Sequence, residues 1–234
     1  MSETDCDPLF EKREKLVMRL MPYVQKNGFS ALKMDDAAKF MDISKPTMYK
    51  YFASKDEIAE CIIDKFAMFV SNQMLSEAPP TLSPESLSRP SAEELKFYNE
   101  SFAQAFKLTI KLSFYLTDVL LQDLNAAYPH LSSKLGQAVE LCKNKLADYF
   151  VSGIALGVFY PINPRIYLTQ VDLVFRKLFD PKWLMLQNMT MKQALMDFYK
   201  TMKHQVFYEK WLDEDNSAMD AYVDKLIASM RAYD

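Results

Sequence analysis

Residues 28–58 read GFSALKMDDAAKFMDISKPTMYKYFASKDEI, and this stretch decides the fold. Ala37, Ala38, Phe40 and Met41 predict a short helix over residues 33–41 with a small-residue face that lets another helix approach closely. Asp42 falls where the chain must turn, and Asp tolerates the left-handed backbone such a turn needs. Ser44 reads as an N-cap, and Pro46 falls in the first turn of the next helix, where its missing N–H leaves no bond unmade. In that helix Met48, Tyr51 and Phe52 can face inward while Lys45, Thr47, Tyr49 and Lys50 face out. Ser54 and Glu57 are spaced as a capping box and open a further helix. Two short helices joined by a turn of about three residues form a helix-turn-helix, whose second helix is shaped for the DNA major groove.

The same residues carry a family resemblance. Gly28-Phe29, the pair Ala37-Ala38, the run Ile43-Ser44-Lys45-Pro46-Thr47-Met48-Tyr49-Lys50-Tyr51-Phe52, and then Lys55 and Ile58 resemble the tetracycline-repressor (TetR) family of one-component regulators. With the first helix included, the resemblance covers about a quarter of the chain. Two departures stand out. Asp42 occupies a position where the family usually has Gly, and Pro22 lies inside the first helix, where it should kink it. The resemblance implies an all-α fold in which a three-helix head, residues 1–54, is joined by a connecting helix, 55–75, and a loop, 76–91, to a larger domain, 92–234. It also implies that the larger domain binds a small-molecule effector and forms a homodimer, and that the head contacts an operator in double-stranded DNA.

Composition fits this without proving it. Half of the 234 residues are apolar and only 4 are Gly, so a large helical core can form. A net charge of −3 gives no overall basic character. Residues 43–55, however, hold three lysines and no acid, so positive charge is confined to a short contact surface. Cys6, Cys61 and Cys142 are widely spaced, with no CxxC, which argues against a zinc site or a disulfide framework. No apolar run reaches membrane-spanning length, and a cytoplasmic protein without membrane contact is expected.

Outward from the head, apolar residues at Phe10, Leu16, Val17, Leu20, Met21 and Val24 predict one helix over residues 10–26, closed by Asn27-Gly28. The stretch 77–90, with Pro79, Pro80, Pro84 and Pro90, reads as a linker. Ser91 and Glu94 form a second capping box and start a helical region reaching residue 124, with no Gly or Pro to mark a break. Tyr128-Pro129 reads as a stop, and the next helix spans residues 131–154 with Gly157 beyond its end. Asn163-Pro164 starts a helix reaching residue 179. Asp180-Pro181 ends it, and residues 181–189 are ambiguous. Thr190 and Gln193 form a third capping box for a helix reaching residue 207, and Ser217 reads as the cap of the last.

Candidate roles follow from residue chemistry. Lys45 and Lys50 can reach base edges or phosphates, and Thr47 can donate to a phosphate. Pro46 offers an apolar contact to a thymine methyl, and Tyr49 can bond a phosphate or pack on a sugar. Lys33 is a further phosphate candidate. The resemblance adds Ser44, Tyr51 and Lys55 to the DNA-binding set. Tyr98, Phe102, Phe106, Tyr115, Gln122 and Tyr167 interrupt apolar faces and are the ligand-binding candidates, although for any one of them a place in the core is the commoner role. Met191, Leu195, Phe198, Met202 and Phe207 form an apolar stripe read as the dimer interface, because a twofold dimer is needed to reach two successive major grooves. No catalytic residue, metal site or cofactor is expected: neither His130 nor His204 sits in an acid–base pattern, and no phosphate-binding glycine motif occurs. Asp35-Asp36 reads as first-turn acids favouring the helix dipole. Two alternatives remain open at this level. One is a helical small-molecule or protein-binding module that has lost DNA binding, and the other is a helical enzyme assembled from distant residues.

Overall fold

The computed structural model describes residues 8–72 and 90–231. The acidic start of the chain and nearly all of the proline-rich linker, residues 73–89, lie outside the described residues. Within them the chain is all-α, and the one extended pairing is an antiparallel bridge between Phe159 and Phe207. The first helices are α1 (Pro8–Met18), α2 (Met21–Asn27), α3 (Met34–Phe40), α4 (Lys45–Tyr51) and α5 (Lys55–Asn72). There follow α6 (Ala92–Tyr115), α7 (Asp118–Ala127), α8 (Pro129–Ala155), α9 (Pro164–Leu178), α10 (Pro181–Leu186), α11 (Met191–Val206) and α12 (Ser217–Arg231).

Pro22 does more than kink the first helix. It splits residues 10–26 into α1 and α2, because it has no N–H to give the carbonyl four residues back. The chain turns at Arg19 and Leu20, whose amides donate to the Leu16 and Val17 carbonyls at 3.2 and 2.9 Å, and Pro22 then occupies the first turn of α2. The long region from Ser91 breaks at Leu116–Thr117. There the Thr117 hydroxyl accepts from the Leu120 amide at 3.2 Å and starts α7. Pro129 is not a stop but the first residue of α8, where its fixed φ suits a helix start. Residues 181–186 resolve as α10, capped by the Asp180 carboxylate. Ser217 is the first residue of α12 rather than its cap, and its amide donates to the Asp215 carboxylate at 2.9 Å. The boxes at Ser91–Glu94 and Thr190–Gln193 close reciprocally as their sequences demand.

Two compact units result. Residues 8–72 and 115–142 form the first; residues 90–114 and 143–231 form the second. This division does not follow the boundary at residue 92, since the segment 115–142 groups with the N-terminal helices. The first unit packs α1 against α5, α2 against α7, and α3 against α4. Its core holds Leu16, Val17, Leu20, Val24, Phe29, Met41, Met48, Phe52, Ile58, Ile62 and Phe66.

The second unit is built on aromatic rings. Tyr98, Tyr149, Phe150, Phe159 and Phe207 are all almost completely buried, and Phe159 meets Phe207 edge-on with centroids 4.7 Å apart. Gly153 makes this packing possible: a Cβ there would lie 2.3 Å from the Phe159 ring. Hydroxyls inside the cluster are satisfied. Tyr149 donates to the Tyr98 carbonyl at 2.7 Å, and Tyr98 donates to Ser152 Oγ at 3.0 Å.

Candidate nucleic-acid interface

The second helix of the helix-turn-helix is only seven residues long, so its rigidity must come from its ends and its buried side. At the start, Ser44 Oγ accepts from the Thr47 amide at 3.3 Å and shares a hydrogen bond with Thr47 Oγ1 at 2.8 Å. Asp42 carries the turn at φ 54°, the left-handed conformation expected of it. On the inner side, Met48 and Phe52 are wholly buried. Ala37, Ala38 and Met41 supply the opposing face from α3, as the sequence suggests. Phe40 does not: it is exposed and its ring lies tilted beside that of Tyr23, with centroids 4.9 Å apart.

What remains outward is the set the sequence picks out. Tyr49 is 52% exposed, and Lys45, Pro46 and Lys50 are exposed while Thr47 is half-buried. Lys33 is exposed at the N-cap of α3. Tyr51 is half-buried, with the Lys12 ammonium 5.4 Å from its ring centroid. Lys55 is also half-buried, and its ammonium donates to the Ser30 carbonyl at 3.3 Å. The box opening α5 is shifted by one residue: Glu57 accepts from the Ala53 amide at 2.9 Å while its own amide donates to Ser54 Oγ at 3.3 Å. These side chains share one short, capped element and its approaches, and together they offer ammonium groups, a phenol and hydroxyls to an anionic surface.

The head has supports that the sequence did not reveal. Asp123 in α7 accepts from the amides of Phe29 and Ser30 at 2.6 and 3.0 Å, fixing the loop that leads into α3. Gly28 is required beside it, because at φ 75° a Cβ would stand 2.6 Å from the Asp123 carboxyl carbon. Thr117 Oγ1 donates to the Gln25 carbonyl at 2.7 Å, and Lys134 pairs with Asp64 at 2.6 Å. Tyr128 donates to Asp56 at 2.9 Å, and burial, then the Asp56 hydrogen bond and nearby acids, push its phenol up to about 12. None of these pairs has a local spacing that sequence could flag.

The ligand candidates divide between the two units. Tyr98, Phe102, Phe106 and Tyr167 belong to the aromatic core of the second unit. Tyr115 belongs to the first unit, where its ring lies 5.5 Å from that of Phe66, and Gln122 is exposed there. The proposed dimer stripe also needs correction. Leu195, Met202 and Phe207 are buried within their own unit and cannot meet a partner, while Met191 and Phe198 are half-buried. A separate cavity of about 290 Å³ is lined by Lys200, Lys203, His204, Leu212, Asp213, Glu214 and Asn216. Lys203 is buried there, held by the Asp213 carbonyl and Asn216, and burial lowers its pKa. Among the described residues no group of three His, Cys, Asp or Glu could hold a metal, and no helix is long and apolar enough to cross a membrane.

The model of "Bacterial regulatory proteins, tetR family" matches residues 24–62, which run from the end of α2 into α5. No curated protein matches the chain in sequence. Among solved structures, the chain is similar to a TetR transcriptional regulator from Chloroflexus aurantiacus, with TM-score 0.55 and 12% identity over 85% of this chain and 98% of that one. It is similar to the ketosteroid transcriptional regulator KstR2 of Mycobacterium tuberculosis, with TM-score 0.51 and 18% identity over 85% and 96%. It is also similar to AibR in complex with isovaleryl coenzyme A and operator DNA, with TM-score 0.55 and 12% identity over 81% and 97%. At these identities the likeness is one of fold. The match over residues 24–62 coincides with the capped helix-turn-helix, so in this segment the chain is similar to bacterial regulatory proteins of the tetR family.

Proposed function

We propose that the protein binds an operator as a homodimer, represses the gene it controls, and is released by a small apolar or amphipathic effector. The observation that carries this is the outward face of α4: Lys45, Tyr49 and Lys50 on a short helix fixed by the Ser44 cap and by Met48 and Phe52 beneath it. Lys50 and Tyr49 would contact phosphate or base edges, Pro46 a thymine methyl, and Lys33, Thr47, Tyr51 and Lys55 the backbone. The solved complex of AibR holds a coenzyme A thioester and operator DNA on a similar fold, which supports reading both partners into one chain. The effector is assigned to the second unit, whose centre is aromatic. It can release DNA only by binding the DNA-free form more tightly.

A dimer needs an accessible face, and the second unit has one. Ile166 and Leu173 are 67% and 60% exposed and lie seven residues apart on α9, so they share a side of that helix. Met185 and Leu186 on α10, which packs against α9, are 80% and 82% exposed. We assign the partner contact to this surface in place of the buried stripe on α11. Exposed large apolar residues grouped in this way mark an association surface.

The test is a titration of the protein against DNA from upstream of its own reading frame and against a scrambled duplex, at two salt concentrations. Tighter, salt-dependent binding of the upstream fragment is expected, with two subunits per site. Absence of salt-dependent binding to either duplex would favour the module that has lost DNA binding.

A further inference from the structure

Asp35 and Asp36 open α3, where first-turn carboxylates favour the helix dipole. Their partners show that they do something else as well. Asp35 Oδ2 lies 2.6 Å from Lys45 Nζ, and the two side chains are 59% and 55% exposed. Lys45 is the first residue of the recognition helix, so the pair spans the turn between α3 and α4. The hydrogen bond from Lys45 holds the Asp35 carboxyl below its ordinary value, so the carboxylate is ionised at neutral pH. Lys33 and Lys50 differ from Lys45: among the described residues neither has a carboxylate within ion-pair distance.

We infer that Asp35 is an intramolecular competitor of DNA at Lys45 and so sets the protein's affinity for DNA downward. This rests on the DNA-binding reading above. A phosphate or base acceptor that takes Lys45 must displace a carboxylate already bonded to it, and it leaves that carboxylate exposed beside a polyanion. The exchange swaps one anion for another, so Lys45 adds little to the net number of counterions released when DNA binds. A lysine without such a partner adds about one. Asp35 is therefore an affinity-determining residue that touches DNA only through the lysine it holds. A first-turn acid that served only its own helix would show no dependence on Lys45.

The experiment is a double-mutant cycle on the full chain: wild type, Asp35→Asn, Lys45→Gln and the double variant, titrated by fluorescence anisotropy. The probe is a mixed-sequence duplex of about three helical turns, long enough for two half-sites, across a salt series. Asp35→Asn should bind more tightly by on the order of tenfold at about 50 mM salt and about threefold at 200 mM, with a log–log salt slope steeper by about one. Lys45→Gln in the Asp35→Asn background should abolish that gain, whereas Lys45→Gln alone should leave the slope nearly unchanged. Asp36→Asn removes the same charge from a residue paired with Lys39 at 3.1 Å, and should give a smaller gain that does not depend on Lys45. If the Asp35→Asn gain survives loss of Lys45, or matches that of Asp36→Asn, the effect is general electrostatics and the inference fails. If Asp35→Asn melts earlier than wild type, Asp35→Ser is substituted, since serine also suits a helix's first turn, and the same cycle is read. Wild type that binds while no variant differs overturns this inference alone. Wild type that binds no duplex at any salt overturns the DNA-binding reading together with it.

Discussion

At the scale of single residues, Tyr49 and Lys55 make different demands on an experiment. Tyr49 is 52% exposed and lies outside the buried core, so its loss should fall on DNA binding. Tyr49→Ala should weaken operator binding by about three- to tenfold, the worth of one hydrogen bond, and leave the melting temperature unchanged. Lys55 already holds the Ser30 carbonyl. Lys55→Ala should flatten the salt dependence by about one unit, and an unchanged slope in anisotropy titrations would make it a strut for the loop and not a phosphate contact. Tyr128 allows a test by pH. Its folded-state phenol is raised to about 12, above the ordinary value near 10. The stability it carries is complete below pH 10 and is lost as pH rises through the folded value. Tyr128→Phe should lower stability by about 1 kcal/mol at neutral pH, with the deficit shrinking in alkaline denaturation curves. Asp35 shows the limit of reading residues singly: as a first-turn acid it was legible, but its partner lies ten positions away, across the turn.

At the scale of elements, caps were the most readable feature and packing partners the least. The boxes at Ser91 and Thr190, the Ser44 cap with Pro46, and the Asn163-Pro164 start each depend on side chains within three residues of the backbone they satisfy. Such short-range chemistry is written in sequence. The break before α7 carries the same kind of signal in Thr117, but with no Gly or Pro beside it a lone threonine does not distinguish a cap from a helix-interior residue. The misplaced dimer stripe has a different origin. An amphipathic helix shows which side avoids water, not whether its own chain or a partner covers that side. Leu195, Met202 and Phe207 turned out to be covered internally. Two substitutions test the element-level packing. Gly153→Ala would push a methyl into the Phe159 ring and should destabilise the protein by about 1–3 kcal/mol in urea denaturation. Asp123→Ala would strip a carboxylate from the amides of Phe29 and Ser30, and a loss of about 1.5–3 kcal/mol is expected in the same assay.

At the scale of the whole molecule, the expected assembly rests on α9 and α10. Leu173→Lys combined with Leu186→Lys should place two ammonium groups on the apolar surface and yield monomers by sedimentation at micromolar concentration. DNA affinity should fall with it, because two half-sites about 34 Å apart need two heads held together. A dimer unchanged by the pair of lysines would move the interface elsewhere. All-α architecture and the head were legible because helical periodicity and turn chemistry are local, whereas the division into units was not, since it depends on which distant segments touch. That division limits what can be cut from the molecule. The segment matching the family model stops at Ile62, yet side chains bracing it come from Thr117, Asp123 and Tyr128, and Lys134 pairs with Asp64 just beyond it. The reading head is therefore not a portable cassette. A graft onto another scaffold, or an excised fragment of the first five helices, must bring residues 115–142 along or arrive with its loop amides, Gln25 carbonyl and Asp64 stripped of their partners.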